Sequence, residues 1–348
     1  MMDKTMDKKF MMGNKVLAMA AKDAGAKLMF GYPITPASEI LETWVKLCQE
    51  DKKIDFMQTE DEMSAGFSTI GACLAGTPTF TATAGPGNVL MQDAFSMAEA
   101  LRIPTVAMIV QRGGLSTSTV IYSQEEVRLT CFGGNGEGFR IVYSTAGLQD
   151  LYDLTIKAFE VAWKYRYPTF ILADGYQGKT KGLVSLNKPK VKKSLFKPIL
   201  KKGVNLRNCY NLEEEIGRVI LDYYQDFEKI RPEIEESEAY EMADAQVMLL
   251  AHGIVGAAVK EAVRILRKKG LKVGLFRPIT LRPFPSSQAK KYLKKVKKII
   301  VFESALGQLA ELFKNEFYHS GPLLLEVNKP AVGFTPEEIV KLTQKALS

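Results

Sequence analysis

Short apolar runs alternate with stretches of helical periodicity along most of this sequence, and no other feature constrains the fold as strongly. Helical stretches at 15–24, 37–49, 61–75 and 148–165 are interleaved with apolar runs at 26–30, 54–58, 79–84, 105–111, 140–144 and 169–173. Apolar strands separated by helices need crossover connections, so they pair in parallel and are covered on both faces. The pattern lapses from Gly182 to about Glu241 and then resumes. Runs at 247–253, 272–278, 297–304 and 322–327 alternate with helical stretches at 255–268, 286–294 and 307–318. The chain reads as an α/β protein of two parallel-sheet domains, residues 1–182 and the smaller 245–348, joined by an arm at 183–244 with one helix. Its 348 residues are enough for two cores.

Composition narrows the function classes. Hydrophobic residues make up 46% and charged residues 25%, as in ordinary globular proteins. The apolar runs are strand-length, too short to cross a bilayer, and MMDKTMDKKF at the N-terminus lacks the apolar core of a secretory signal. The net charge of +8 sits largely in lysine runs at 188–202 and 290–298. Neither run is interleaved with aromatics, so a solvated basic face that attracts acidic partners is favoured over a nucleic-acid site. Cys48, Cys73, Cys131 and Cys209 are scattered with no C-x-x-C spacing, which excludes an iron–sulfur or zinc site built from this chain alone. Cys73 reads as a core residue, and the expected compartment is a reducing one, the cytoplasm. With only His252 and His319 in the chain, acid–base chemistry falls to carboxylates or to a cofactor.

Several segments stand where strands hand over to helices. In GYPITPASE (31–39), Pro36 suits a first helical position and Thr35 its N-cap. That segment is either a well-capped helix start or an anion site beyond the strand ends, of a kind that suits a small carboxylate. In QTEDEMSAGFSTIGACLAG (58–76), Glu62, Ala65, Gly66, Thr69, Ile70 and Cys73 fall on one helical face. A carboxylate heading a stripe of small residues serves close packing or a ligand, and burial there raises its pKa. Glu60 and Asp61 point elsewhere and read as capping charges. TATAGPGN (81–88) is a glycine turn without dinucleotide spacing. In QRGG (111–114), Arg112 either forks a carboxylate or is a surface residue before a turn.

Taken in order, GYPITP, the E-D-E start of an apolar helix ending in IGA, TATAGPG and VQRGG resemble the alpha-type subunit of 2-oxoacid:ferredoxin oxidoreductases. RPITLRPFP (277–285) and ESALGQLAE (303–311) look like the transketolase C-terminal-like domain of the same proteins. The resemblance implies a thiamine diphosphate-binding fold holding the pyrimidine end of the cofactor, with Pro33, Ile34, Ala84 and Gly85 lining it. Glu62 matches the glutamate that contacts the aminopyrimidine and promotes ylid formation. Thr35 and Arg112 match residues that hold the 2-oxoacid and its carboxylate.

The diphosphate and Mg²⁺ belong to a GDG…N motif. The nearest sequence, Ala173-Asp174-Gly175, has no Asn at the required distance. The resemblance therefore assigns the diphosphate, the Mg²⁺ and the [4Fe-4S] cluster to a beta-type partner, beside gamma and ferredoxin-like subunits. The implied reaction is thiamine-dependent, CoA-dependent oxidative decarboxylation of a 2-oxoacid to acyl-CoA, with electrons passing to ferredoxin.

GGNGEGFRIV (133–142) looks most like the branched-chain subclass, with the 2-oxoglutarate subclass close behind. Both typically carry a histidine where this chain has Asn135. The competing expectations are another thiamine enzyme of transketolase or dehydrogenase beta type, and a non-catalytic paralogue that binds a partner.

Overall fold

The computed structural model describes residues 8–186, 191–317 and 322–348. The N-terminal residues 1–7, Lys188 and Lys190 of the first lysine run, Tyr318 of the helical stretch 307–318, and His319 lie outside the described residues. In chain order the first part comprises β1 (Lys8–Met12), α1 (Gly13–Ala24), β2 (Leu28–Gly31), α2 (Ser38–Glu50), β3 (Asp55–Gln58), α3 (Glu62–Leu74) and β4 (Thr79–Thr83). There follow α4 (Pro86–Leu90), α5 (Gln92–Ala100), β5 (Val106–Gln111), α6 (Val127–Phe132), β6 (Ile141–Ser144), α7 (Leu148–Tyr165) and β7 (Thr169–Asp174). Next come α8 (Gly175–Lys179), β8 (Lys181–Ser185), α9 (Glu213–Ile234) and β9 (Ser237–Tyr240). The remainder is β10 (Val247–Leu250), α10 (Gly253–Lys268), β11 (Val273–Pro278), β12 (Thr280–Arg282), α11 (Ser286–Leu293), β13 (Lys298–Glu303), α12 (Gln308–Phe317), β14 (Leu323–Asn328) and α13 (Pro336–Leu347).

The larger sheet runs β12-β6-β7-β5-β4-β2-β3, parallel except at the β12–β6 edge. The smaller runs β14-β13-β10-β11-β9, parallel except at β9. Parallel pairing brings the carboxyl ends of β2, β4, β5 and β7 to one edge of the larger sheet.

Period-two alternation sends the side chains of each strand to opposite cores. Along β5, Val106, Met108 and Val110 join a core with Trp44, Phe80 and Phe159, while Ala107 and Ile109 face Phe95 and Phe170. That second core continues into the other sheet through Met248, Leu250, Phe276 and Val301. The two sheets therefore share one apolar core, and β12 crosses over to extend the larger sheet.

The arm is packed rather than loose. Arg102 donates to Asp226 at 2.9 Å and its guanidinium lies over the rings of Tyr167 and Tyr223. At the far end of α9, Arg231 donates to Glu316 at 2.8 Å. One local expectation fails. Helix α2 begins at Ser38, with no side-chain cap, so Thr35 is not an N-cap and Pro36 is not a first helical residue. A turn intervenes, closed by the Ala37 N–H on the Ile34 carbonyl at 2.8 Å, and the Thr35–Pro36 peptide is cis. The Pro36 carbonyl is taken instead by the side-chain amide of Asn14, at 2.6 Å.

Candidate active site

Helix α3 starts as its sequence dictates. Asp61 is the N-cap, its carboxylate accepting from the Ser64 N–H at 2.7 Å, and Glu60 is exposed and accepts from the Ser64 hydroxyl. Its buried residues are Glu62, Ala65, Gly66, Thr69, Ile70 and Cys73, the face that helical spacing marks out. Burial raises the Cys73 thiol to about 12, as befits a core residue. Glu62 is 5% exposed, and its carboxylate has no side-chain hydrogen-bond partner among the described residues. Desolvation raises its pKa, helped by the Asp61 charge and opposed by its own backbone N–H and by Arg112.

The glycine turn after β4 lies against this carboxylate. A Cβ at Gly87 would stand 2.1 Å from Thr83 Oγ1 and 2.6 Å from Glu62 Oε1, so only glycine fits. Gly85 has φ +51°, and a Cβ there would meet Arg112 Nε at 2.6 Å. Ala84 is fully buried, and its carbonyl accepts from the Gly87 N–H at 3.1 Å.

Arg112 follows β5 and is 6% exposed. Its Nη1 donates to the Thr35 carbonyl at 2.8 Å, while its buried Nε has no partner. The surface reading of Arg112 is thereby set aside. The sheet order β5-β4-β2 explains why residues so far apart in sequence meet. Three neighbouring strands deliver Arg112, the glycine turn and the Thr35 turn to the same edge. Ile34 opens that turn and Pro33 precedes it, and neither hydrogen-bonds Glu62 or Arg112 among the described residues.

Glu126 was not singled out by sequence reasoning. It is buried, and its carboxylate accepts from the Gly85 N–H at 2.9 Å, the Arg112 N–H at 3.0 Å and the Asn88 amide at 3.0 Å. Desolvation raises its pKa against those bonds. Asn135 lies away from Glu62 and Arg112. It is exposed, donates from its backbone to Ser96 at 3.3 Å, and lines a cavity of about 230 Å³ between α5 and α9.

The family described as "Pyruvate flavodoxin/ferredoxin oxidoreductase, thiamine diP-bdg" matches residues 19–249, and "Pyruvate:ferredoxin oxidoreductase core domain II" matches residues 245–336. The chain is an alpha-type subunit of the 2-oxoacid:ferredoxin oxidoreductases. It is 34% identical to the 2-oxoglutarate synthase subunit KorA of Methanocaldococcus jannaschii, covering 86% of this chain and 89% of that one. Against the ketoisovalerate oxidoreductase subunit VorB of Methanothermobacter marburgensis, identity is 33%, covering 87% and 88%. In fold it matches 2-oxoglutarate:ferredoxin oxidoreductase from Magnetococcus marinus, with a TM-score of 0.88 at 24% identity. That alignment covers 99% of this chain and 66% of the other. A split gene transketolase described as an inactive beta4 tetramer shares the fold more distantly, with a TM-score of 0.61 at 15% identity over 97% of this chain and 99% of that one.

This alpha-type subunit therefore has a thiamine diphosphate-binding α/β fold. It is one subunit of an oxidoreductase whose electron acceptor is an iron–sulfur protein. Among the described residues no helix is long and apolar enough to cross a membrane, and no group of three or more His, Cys, Asp or Glu is placed to hold a metal.

Proposed function

We propose that this subunit holds the pyrimidine end of thiamine diphosphate and the carboxylate of an apolar 2-oxoacid, with Glu62 as the catalytic carboxylate. The observation that carries this reading is the buried Glu62 carboxylate, free of side-chain partners, lying against the glycine turn at 85–87 that also packs on Arg112. Gly85 and Gly87 leave room for Arg112 and Glu62 to lie against the turn, where any Cβ would displace them, and a buried carboxylate held there suits a basic ring nitrogen. Bound thiamine diphosphate supplies the carbanion chemistry that decarboxylates a 2-oxoacid.

The chain's own residues do the rest. Glu62, with its pKa raised by burial, holds a proton at the ring nitrogen and exchanges it. The Arg112 guanidinium, its Nε unpaired, forks the substrate carboxylate. Thr35, whose carbonyl already anchors Arg112, borders the substrate, and Pro33, Ile34, Ala84 and Gly85 line the cofactor.

The diphosphate, Mg²⁺ and the [4Fe-4S] cluster come from a beta-type partner, with gamma and ferredoxin-like subunits, CoA and ferredoxin completing the system in the cytoplasm. Two features support this. Asp174, in the one near-match to a GDG motif, caps α8, and both its oxygens accept from Gln177, at 2.9 and 2.7 Å. Tyr32, Met63, Leu90, Leu115, Ile121 and Tyr176 are exposed around the strand ends, an apolar rim that suits burial under another subunit.

The loop after Arg112 argues for an apolar acyl group. Residues 113–121 carry no cation, Leu115 is 94% exposed, and Val120 and Ile121 are also exposed. Arg128, the nearest following cation in sequence, is engaged by Glu311. Similarity to the 2-oxoglutarate synthase subunit favours a second carboxylate instead. The two readings separate on turnover of 2-oxoisovalerate against 2-oxoglutarate, with the chain alone and then assembled with its co-purifying partner. Activity only after assembly, with 2-oxoisovalerate preferred, is the expected result. Oxoacid oxidation by the chain alone overturns the division of labour, and a strong preference for 2-oxoglutarate overturns the substrate reading.

A further inference from the structure

We infer that Glu126 is the positioning residue of this site, setting the Arg112 guanidinium and the glycine turn in register from beneath. The inference rests on the reading of Arg112 as the carboxylate-binding group. Two parallel strands, β4 and β5, end side by side, and each leaves a backbone N–H with no ladder partner, at Gly85 and Arg112. Glu126 Oε1 accepts both, at 2.9 and 3.0 Å, so one oxygen ties the two turns together. The guanidinium of Arg112 then lies against Gly85, where a Cβ would approach Nε to 2.6 Å, and reaches the Thr35 carbonyl at 2.8 Å. Loosening either turn releases the Arg112 side chain from that contact.

The other oxygen links this clamp to a buried polar chain. Asn88 donates to Glu126 Oε2 at 3.0 Å, and Gln92 donates to Asn88 Oδ1 at 2.9 Å. Arg140 donates to Gln92 Oε1 at 2.9 Å and forms a two-pronged pair with Glu99, at 2.6 Å on each side. Arg140 also donates to the Gly133 carbonyl at 2.8 Å, at the start of the loop carrying Asn135. Each member is buried and partnered, and satisfied buried networks hold their members to one geometry. The chain thus fixes Glu126 from behind while Glu126 fixes the site.

The test combines amide exchange with kinetics in the assembled enzyme. Glu126→Asp keeps the charge but shortens the reach by about 1.5 Å, one C–C bond. Glu126→Gln keeps one oxygen able to accept both N–H groups. In Glu126→Asp, exchange protection should fall over residues 84–88 and 111–113, and KM for the 2-oxoacid should rise about 10- to 100-fold with a smaller change in kcat. Glu126→Gln keeps the shared acceptor but turns an amide N–H toward the Asn88 donor, so it should lose less protection and raise KM less than Glu126→Asp.

Adding Glu126→Asp to Arg112→Ala should lower kcat/KM no further, because the two act through one side chain. Unchanged protection in Glu126→Asp, or full additivity with Arg112→Ala, overturns the proposal. If Arg112→Ala alone leaves KM unchanged, the carboxylate reading of Arg112 falls instead. The exchange data still decide whether Glu126 holds the two turns.

Discussion

Replacing Glu62 by Gln removes one exchangeable proton and almost no volume, which makes it the sharpest test of the site. The side chain is 5% exposed and lies against Gly87, so the amide keeps the same contacts. What it loses is the ability to give and take a proton. Groups in that role contribute about 10²- to 10⁴-fold, or about 2.7–5.5 kcal/mol of barrier, and kcat should fall by that amount. Folding stability should move the other way. The pKa of Glu62 is raised by desolvation, so the folded state prefers the protonated form. The stabilisation this gives is fully present below the ordinary carboxylate pKa and is lost as pH rises through the elevated one. Gln carries no such loss, so near neutral pH the variant should unfold at the same or a higher urea concentration than the parent. Exposed Glu60, converted to Gln, should cost only a helix-terminal charge, about 0.3–1 kcal/mol of stability, and leave turnover intact. The assay is oxoacid-dependent electron transfer by each variant assembled with its partner, beside urea unfolding of the same preparations. Near-normal turnover by Glu62→Gln with loss in Glu60→Gln would refute the assignment of the helix face.

Two other outcomes follow from single positions. Gly87→Ala drives a methyl to 2.1 Å from Thr83 Oγ1 and 2.6 Å from Glu62 Oε1. It should cost about 1–3 kcal/mol of stability in urea unfolding and displace the carboxylate, and an unperturbed, fully active variant would show that the contact is not tight. Burial and the Arg277 charge depress His252 to about 3, so it folds neutral while the unfolded chain takes up a proton below about pH 6.5. Its contribution is present above that pH and lost as pH falls, about 2 kcal/mol by pH 5, and His252→Asn should lack this increment when urea midpoints at pH 7 and pH 5 are compared.

The sequence by itself determined the alternation that makes two parallel sheets, and it placed Glu62 at the head of a small-residue stripe. Both are local: a helix of fixed pitch decides which residues share a face, whatever it packs against. The order of the motifs also marked the turns after β2, β4 and β5, which the sheet order brings to one edge. Tertiary structure alone decided three things. Thr35 is not a helix cap, because Asn14, distant in sequence, takes the Pro36 carbonyl and a turn delays α2 to Ser38. The two halves share a core, because alternate residues of β5 and of β10 join one apolar cluster, a packing that no local pattern encodes. Most of all, nothing in Gln124-Glu125-Glu126 distinguishes the two acids. Glu125 is partly exposed and accepts from the Gly114 N–H, whereas Glu126 is buried under two strand ends. Which carboxylate meets the unpaired N–H groups depends on where β4 and β5 terminate side by side, and only the assembled sheet brings those ends together.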